Sequence, residues 1–239
     1  EWVKVTTPYG DPSDEIFIGS LNGIELAFLP RHGRGHLYSP STVPYQANVY
    51  AMKSLGVTDI LSISACGSLR EDYKPGEFVI VDQFIDLTFA RKKTFFDGAC
   101  VAHVSLAHPV CGRLGKMTQR AMKELNIPHH DRGTYITMEG PQFSTMAESL
   151  LYKNSWGCDV IGMTNMPEAK LAREAEICYA SIAMVTDFDC WHPDHENVDV
   201  QQVIKVLLGN AEKAKNMIKN LIKNFENHID PKDPTNNCL

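Results

Sequence analysis

Four short segments of the sequence are rich in charged, hydroxyl or small side chains and lie at the ends of predicted strands, and the first three contain glycine. The first segment is residues 30–36, Pro-Arg-His-Gly-Arg-Gly-His, which follows the run 24–29 and holds two arginines, two histidines and two glycines. Arginine presents a planar fork of N–H donors that suits an oxyanion, and glycine lets the backbone approach it closely. The segment therefore predicts an anion site, with an exposed basic turn as the alternative.

The second segment, residues 64–69, is rich in small side chains and follows a predicted strand. Small residues and glycine at the carboxyl end of a strand can turn backbone N–H groups toward an anion, and open α/β sheets bind ligands at that edge. An ordinary tight turn is the alternative. This segment therefore indicates an anion site only in combination with the first segment.

The third segment, residues 138–144, places a carboxylate, a Gly-Pro turn and an aromatic ring side by side. Glu139 could accept hydrogen bonds from sugar hydroxyls, and Phe143 could stack on a ring. A structural turn with a phenylalanine in the core is the alternative.

The fourth segment, residues 186–191, holds two carboxylates, Asp187 and Asp189, at the end of the apolar run 181–185. Strand alternation would put both on one side, and no lysine or arginine lies close in sequence to neutralise them. We expect burial and the neighbouring Asp189 charge to raise the pKa of Asp187. The pair predicts a chemical role, with metal binding or helix capping as the alternative.

The elements between these segments alternate between strand and helix. The predicted strands are 24–29, 57–64, 78–85, 134–138, 159–163 and 179–186, and the predicted helices are 45–55, 146–154, 167–176 and 200–225. This alternation predicts an α/β fold with one domain over 1–229, in which helices flank a central mixed, largely parallel β-sheet. We expect residues 230–239 to be a frayed tail.

Charge and cysteine content narrow the possible partners. The 239 residues include 23 Lys and Arg against 29 Asp and Glu, so the chain lacks the basic excess that nucleic-acid binding needs. Its apolar runs are too short for a membrane span, and it opens with no signal-peptide pattern, so we expect no membrane partner and a cytoplasmic protein, with the nucleus as a further location. Seven scattered cysteines without C-x-x-C spacing predict reduced thiols and no metal site.

Taken in order, these segments resemble the trimeric purine nucleoside phosphorylase family, and most closely its branch that acts on S-methyl-5'-thioadenosine. The residues that carry the resemblance are Arg31 to Arg34, Asn48, Ser64 to Leu69, Glu139 to Pro141, Met163-Thr164, Pro167-Glu168 and Thr186 to Trp191. The resemblance implies the nucleoside phosphorylase fold and the conversion of methylthioadenosine and inorganic phosphate to adenine and 5-methylthioribose 1-phosphate. It implies no cofactor, because phosphate is a co-substrate.

The resemblance also assigns individual positions. Its phosphate site corresponds to Arg31, His32, Ser64, Ala65 and Thr164. Met163 matches the residue under the ribose, Phe143 a residue beside the nucleoside, and Asp187 and Asp189 the pair that holds the purine. From the charge that develops on the leaving base, we interpret Asp187 as the general acid and Asp189 as the acceptor for the adenine amino group.

The last part of the expected site consists of the residues that contact the 5' end of the sugar. Ser144 and Val200 correspond to positions that select adenine and the methylthio group, and His103 resembles a histidine lent by a neighbouring subunit, which implies a homotrimer. Val203 and Ile204 would extend an apolar wall at the start of the last helix, with plain helix core as an equal alternative.

The sequence departs from the family pattern at one place, and two functions other than the one implied by the resemblance remain as alternatives. The family ordinarily begins with a strand and a glycine-rich phosphate loop, whereas this chain opens with Glu-Trp-Val-Lys; we expect the natural beginning to lie outside the sequence, the alternative being the loss of one phosphate contact. The rival functions are a 6-oxopurine nucleoside phosphorylase and a non-catalytic nucleoside-binding protein.

Overall fold

The structure is a computed structural model that describes residues 1–98, 100–193 and 200–225. The elements in chain order are β1 (Trp2–Val3), β2 (Ile16–Leu21), β3 (Ile24–Phe28), α1 (Tyr45–Ser54), β4 (Asp59–Ser68), β5 (Phe78–Val81), β6 (Gln83–Asp86), α2 (Gly112–Glu124), β7 (His129–His130), β8 (Thr134–Thr137), α3 (Met146–Leu150), β9 (Val160–Gly162), α4 (Asn165–Glu174), β10 (Cys178–Asp187) and α5 (Val200–Lys223). A π-helical turn, Leu151–Ser155, continues α3.

Two long parallel strands, β4 and β10, form the centre of a seven-stranded sheet with the order β6-β8-β9-β4-β10-β5-β7. Four of its strand pairs are parallel, and only β10 with β5 and β4 with β9 are antiparallel. Every residue of β10 except the last is buried, as expected for a strand covered on both faces. The predicted mixed, largely parallel sheet is therefore confirmed.

Helices cover the two faces of this sheet in pairs. On one face, α1 and α4 pack around Val49, Leu171 and Tyr179. On the other, α2 and α5 pack on Phe78 and Ile182, and β2 and β3 add side chains at the margin of the same cluster. None of the described helices is both long and apolar enough to span a membrane.

One predicted strand is wrong. The run 78–85 is two strands, because the chain leaves β10 after Val81 and pairs with β8 from Gln83 onward. Between them, the backbone and carboxylate of Asp82 pair with Gly133. Since one residue separates β5 from β6, the sheet must curl to bring its two flanks together. The three-stranded antiparallel sheet β1-β2-β3 was predicted only in its last strand.

The predictions for the C-terminal part of the chain and for the cysteines can also be compared with the structure. The last helix matches its predicted range to within two residues, whereas the predicted tail, 230–239, lies outside the described residues. The thiols of Cys66, Cys100, Cys111, Cys158 and Cys190 are free, as predicted. Cys178 is disulfide-bonded, which corrects the prediction of reduced cysteines throughout, because sequence spacing does not show which cysteines approach in space.

Candidate active site

Arg31, just after β3, is drawn into the interior by a carboxylate on α4. Its guanidinium donates from Nε to Glu168 Oε1 and from Nη2 to Glu168 Oε2 at 3.1 Å, and Nη2 also donates to Ser62. Burial lowers the pKa of Arg31, but the adjacent Glu168 carboxylate more than offsets it and the net shift is upward. The arginine is therefore a fixed, charged group, and its Nη1 has no hydrogen-bond partner among the described residues.

Glu168 itself is held by two further hydroxyls. Ser62 and Tyr179 each donate to Oε2 at 3.0 Å. Three donors on one carboxylate fix its orientation and so fix the arginine that it binds.

His32 lies beside this cluster in a neutral form. Its Nδ1 lies 2.8 Å from the carbonyl oxygen of Tyr38, which can only accept, so Nδ1 carries the proton. Burial lowers the pKa of His32, and its ring stacks on that of His36 at 4.2 Å between centroids. The last arginine of the motif, Arg34, instead pairs with Asp14 on the outside.

The strand β4 leads from this cluster to the start of α4. Ser62 and Ser64 are two residues apart and so share one face of the strand. Ser64 is hydrogen-bonded to Asn165 at 3.1 Å, which places the buried Thr164 next to it. The structure thus brings four of the five predicted phosphate residues into one region, and Ala65 follows directly, half-buried, on the same strand.

At the carboxyl end of β4, Gly67 faces Asp187 and Asp189. A Cβ atom on Gly67 would lie 2.9 Å from Asp187 Oδ1 and 3.3 Å from Asp189 Cβ. At about 3.3 Å per residue, Gly67 is roughly 10 Å along the strand from Ser64. The polar groups therefore divide into a basic end and an acidic end on neighbouring parts of one strand.

The two aspartates are close for a different reason than strand alternation. Asp189 lies beyond β10, with a φ of 50°, and its N–H donates to Asp187 Oδ1 at 2.8 Å. The prediction that a regular strand aligns them is wrong, because the chain turns after Asp187. The predicted proximity is nevertheless observed.

The environment of Asp187 favours its protonated form. Burial raises its pKa, hydrogen bonds from the Thr186 hydroxyl and the Asp189 N–H oppose this, and the Asp189 charge adds a further upward shift. The expected direction and both expected causes are confirmed.

Asp189 retains an unpartnered oxygen. Its Oδ2 is buried and has no hydrogen-bond partner among the described residues. Burial raises the pKa of this carboxyl, while the nearby hydroxyls of Ser149 and Ser144 lower it in part without meeting hydrogen-bond geometry. A buried acceptor left open in a protein interior is costly unless a ligand donor completes it.

In the turn after β8, Glu139 does not have the role predicted for it. The Glu139 carboxylate already accepts from Ser41, from the backbone N–H groups of Phe89 and Ala90, and from Arg91. It is therefore occupied by the protein, which corrects the expected contact with sugar hydroxyls. Gly140 has a φ of +66°, and a Cβ there would lie 2.5 Å from the sulfur of Met163.

The remaining predicted residues differ widely in exposure. Ser144 is buried and Phe143 is 47% exposed. His103 is exposed in a segment without helix or strand. Val203 is half-buried and Ile204 is exposed, while the side chain of Val200 lies outside the described residues.

Sequence reasoning missed the supporting residues. Glu168 was noted as part of a motif but was given no role, and Ser62 could have been found from its position two residues before Ser64. Arg91 gave no signal, because it begins an Arg-Lys-Lys run that is typical of an exposed surface. Among the residues that the structure describes, no group of three or more potential metal ligands comes together.

The fold and this two-ended site define a class of protein. The chain belongs to the phosphorylase superfamily, whose family model matches residues 3–223, and it is therefore an enzyme. It is 65% identical over 220 residues to the S-methyl-5'-thioadenosine phosphorylase of Cereibacter sphaeroides, covering 92% of this chain and 76% of that protein. It is 63% identical over 218 residues to the enzyme of the same name from Rhodospirillum rubrum, covering 91% and 74%.

Solved structures agree in fold. A methylthioadenosine phosphorylase from an antarctic soil metagenomic library superposes with a TM-score of 0.89 at 52% identity, covering 93% of this chain and 78% of that one. The methylthioadenosine phosphorylase of Schistosoma mansoni in complex with adenine superposes with a TM-score of 0.90 at 38% identity, covering 93% and 84%.

Proposed function

We propose that the chain is a pentosyltransferase that cleaves S-methyl-5'-thioadenosine with inorganic phosphate, releasing adenine and 5-methylthioribose 1-phosphate. The observation that carries this proposal is the pair of half-buried Asp187 and buried Asp189, because the open acceptor oxygen of Asp189 lies along β4 from the Arg31 cluster. The separation suits a nucleoside whose base meets the acidic end and whose anomeric carbon meets phosphate.

Phosphate occupies the basic end in this proposal. Cleavage of an N-glycosidic bond develops positive charge on the ribose, so an anion that is also the nucleophile stabilises the transition state. Its proposed ligands are Arg31, His32, Ser64, Ala65 and Thr164. Because the Nδ1 proton of His32 is held by the Tyr38 carbonyl, its Nε2 accepts from a P–OH group of phosphate, whereas an individual donor such as Arg31 contributes about 3 kcal/mol in the transition state. No cofactor takes part.

The purine occupies the acidic end. Asp187, whose pKa is raised by desolvation, is the proposed acid that donates to the ring nitrogen that gains electrons as the bond breaks. Asp189 accepts from the amino group of adenine, which completes its open oxygen. Ser144 lies beside them and adds selectivity for adenine.

The sugar lies between these two ends. Met163 forms the surface beneath the ribose, Phe143 packs beside the nucleoside, and His103 of a neighbouring subunit covers the 5' end in a homotrimer. Val200, Val203 and Ile204 provide an apolar wall for the methylthio group. Such a wall disfavours a hydroxyl by only about 1–3 kcal/mol, so adenosine is a poorer but real substrate. The proposed location is the cytoplasm.

The experiment compares methylthioadenosine with 5'-methylthioinosine, each with and without phosphate. We expect free adenine only when phosphate is present and little hypoxanthine. A preference for the inosine analogue would favour a 6-oxopurine enzyme. Binding without base release in either buffer would favour a nucleoside-binding protein.

A further inference from the structure

Arg91, in the segment after β6, is an arginine whose side chain is completely buried. The proposed phosphate and purine contacts do not use it. Burying a guanidinium is unfavourable unless its donors are satisfied, so the partners that it has acquired indicate what it does.

Those partners are mostly backbone carbonyls at the site. Nη1 donates to Met163 O at 2.5 Å, to Met166 O at 2.7 Å and to the Tyr45 hydroxyl at 3.1 Å. Nη2 donates to Glu139 O at 2.6 Å, and Nε faces Glu139 Oε1 at 3.2 Å. One side chain thus ties together the turns that follow β8 and β9.

These carbonyls fix two peptide planes. In a trans peptide the C=O and the next N–H point in opposite directions. Since the carbonyls of Met163 and Glu139 face Arg91, the N–H groups of Thr164 and Gly140 face away from it. Within the part of the chain that the structure describes, neither N–H donates to a protein acceptor.

We propose that Arg91 is a positioning residue that aims the Thr164 N–H at phosphate and the Gly140 N–H into the adjoining sugar region. This inference rests on the proposed function and adds backbone donors to its phosphate site. The guanidinium suits the task because its rigid fork reaches carbonyls on two turns at once, which a point charge cannot do. The Glu139 carboxylate holds that fork and balances its charge.

The first test is Arg91→Lys, which keeps the charge and loses the fork. We expect the KM for phosphate to rise about tenfold or more, since misplacing a bound reactant by about 1 Å is costly. The dissociation constant for adenine, measured by calorimetry without phosphate, should stay within about twofold, because within the described part of the chain the hydrogen bonds of Arg91 go to neither Asp187 nor Asp189. Arg70→Lys, the same change at an arginine that pairs with exposed Asp72, is the matched control and should alter neither constant.

A second variant covers the case in which Arg91→Lys does not fold. Glu139→Gln keeps the shape and the backbone carbonyl but removes the balancing charge, and it should raise the phosphate KM severalfold with adenine binding retained. An unchanged phosphate KM, or equal losses of phosphate and adenine binding, would overturn the proposal for Arg91. Absence of phosphate-dependent adenine release from the unmodified chain would instead overturn the proposed function.

Discussion

Asp187 shows how the surroundings of one residue can set its chemistry. Its two oxygens accept from Thr186 and from the Asp189 backbone, yet burial and the nearby charge still raise its pKa. The Thr186 hydroxyl also reaches the Cys66 carbonyl at 3.1 Å, so it can turn there and accept when Asp187 carries a proton. The carboxyl can therefore hold a proton without leaving a polar group unpaired.

Asp187→Asn should lower adenine release by about 10²- to 10⁴-fold, because the amide cannot act as an acid. The activity on 6-oxopurine nucleosides should rise relative to the activity on adenine nucleosides, since the amide supplies a donor for the carbonyl oxygen of a 6-oxopurine. Steady-state rates on both substrates check this, with Asp72→Asn at an exposed position as the control. Unchanged adenine turnover would remove Asp187 from the proposed mechanism.

The same substitution should stabilise the folded protein at neutral pH. Because the folded-state pKa of Asp187 is raised above 3.8, the folded chain binds the proton more tightly than the unfolded chain. Stability is therefore lost as pH rises from 3.8 through the raised value, and the amide has no such loss. Thermal unfolding should show a higher Tm for Asp187→Asn at pH 7 and a smaller difference near about pH 4. A lower Tm for the variant at pH 7 would contradict this.

At the scale of elements, the end of β4 approaches the aspartates because Gly67 has no side chain. The strands that carry the site, β4 and β10, were predictable, since long apolar runs ending in small or charged residues mark the ligand-binding edge of a parallel sheet. The break between β5 and β6 at Asp82 was not predictable from the sequence. Apolar residues lie on both sides of it, and only the different partners of the two strands in the curled sheet separate them. Hydrophobic periodicity shows which residues of a strand are buried, but it does not show which neighbouring strand it pairs with.

Gly67→Ala should weaken adenine binding without changing the phosphate KM. The added Cβ would meet Asp187 Oδ1 at 2.9 Å and Ile161 Cγ2 at 3.2 Å, so the acidic end must move while the basic end does not. The cost in unfolding free energy should be about 1–3 kcal/mol, as for other overpacked sites. The control is Gly209→Ala in α5, which meets nothing within 4 Å and should stabilise slightly. Adenine affinity equal to that of the unmodified chain would refute the close approach.

At the scale of the whole molecule, the site draws on residues far apart in sequence. Arg31 and Glu168 are 137 positions apart and meet only when the turn after β3 and the helix α4 both reach Ser62 on β4. The chemical types at the two ends could be recognised from their motifs, but Glu168, Asn165 and Arg91 could not, because they act on other protein groups. Phe89 and Val101, which precede His103 between β6 and α2, are 82% and 70% exposed, which is apolar surface suited to contact with another subunit.

His103→Ala should therefore raise the KM for methylthioadenosine and leave the phosphate KM nearly unchanged, because the lost contact is at the 5' end of the sugar. His108→Ala, at an exposed histidine five residues further along the chain, is the control. Mixing His103→Ala chains with Asp187→Asn chains should restore part of the activity, since some shared sites would then be intact. A fully active monomer by sedimentation would exclude a shared site.

The central claim is that phosphate, and not water, attacks the sugar. The most direct measurement follows methylthioadenosine cleavage in isotopically labelled water with saturating phosphate and identifies the sugar product by phosphorus NMR and mass spectrometry. The account predicts one sugar phosphate for each adenine released, with no label at the anomeric oxygen, and no reaction when phosphate is omitted. Free methylthioribose carrying the label, formed equally well without phosphate, would contradict it.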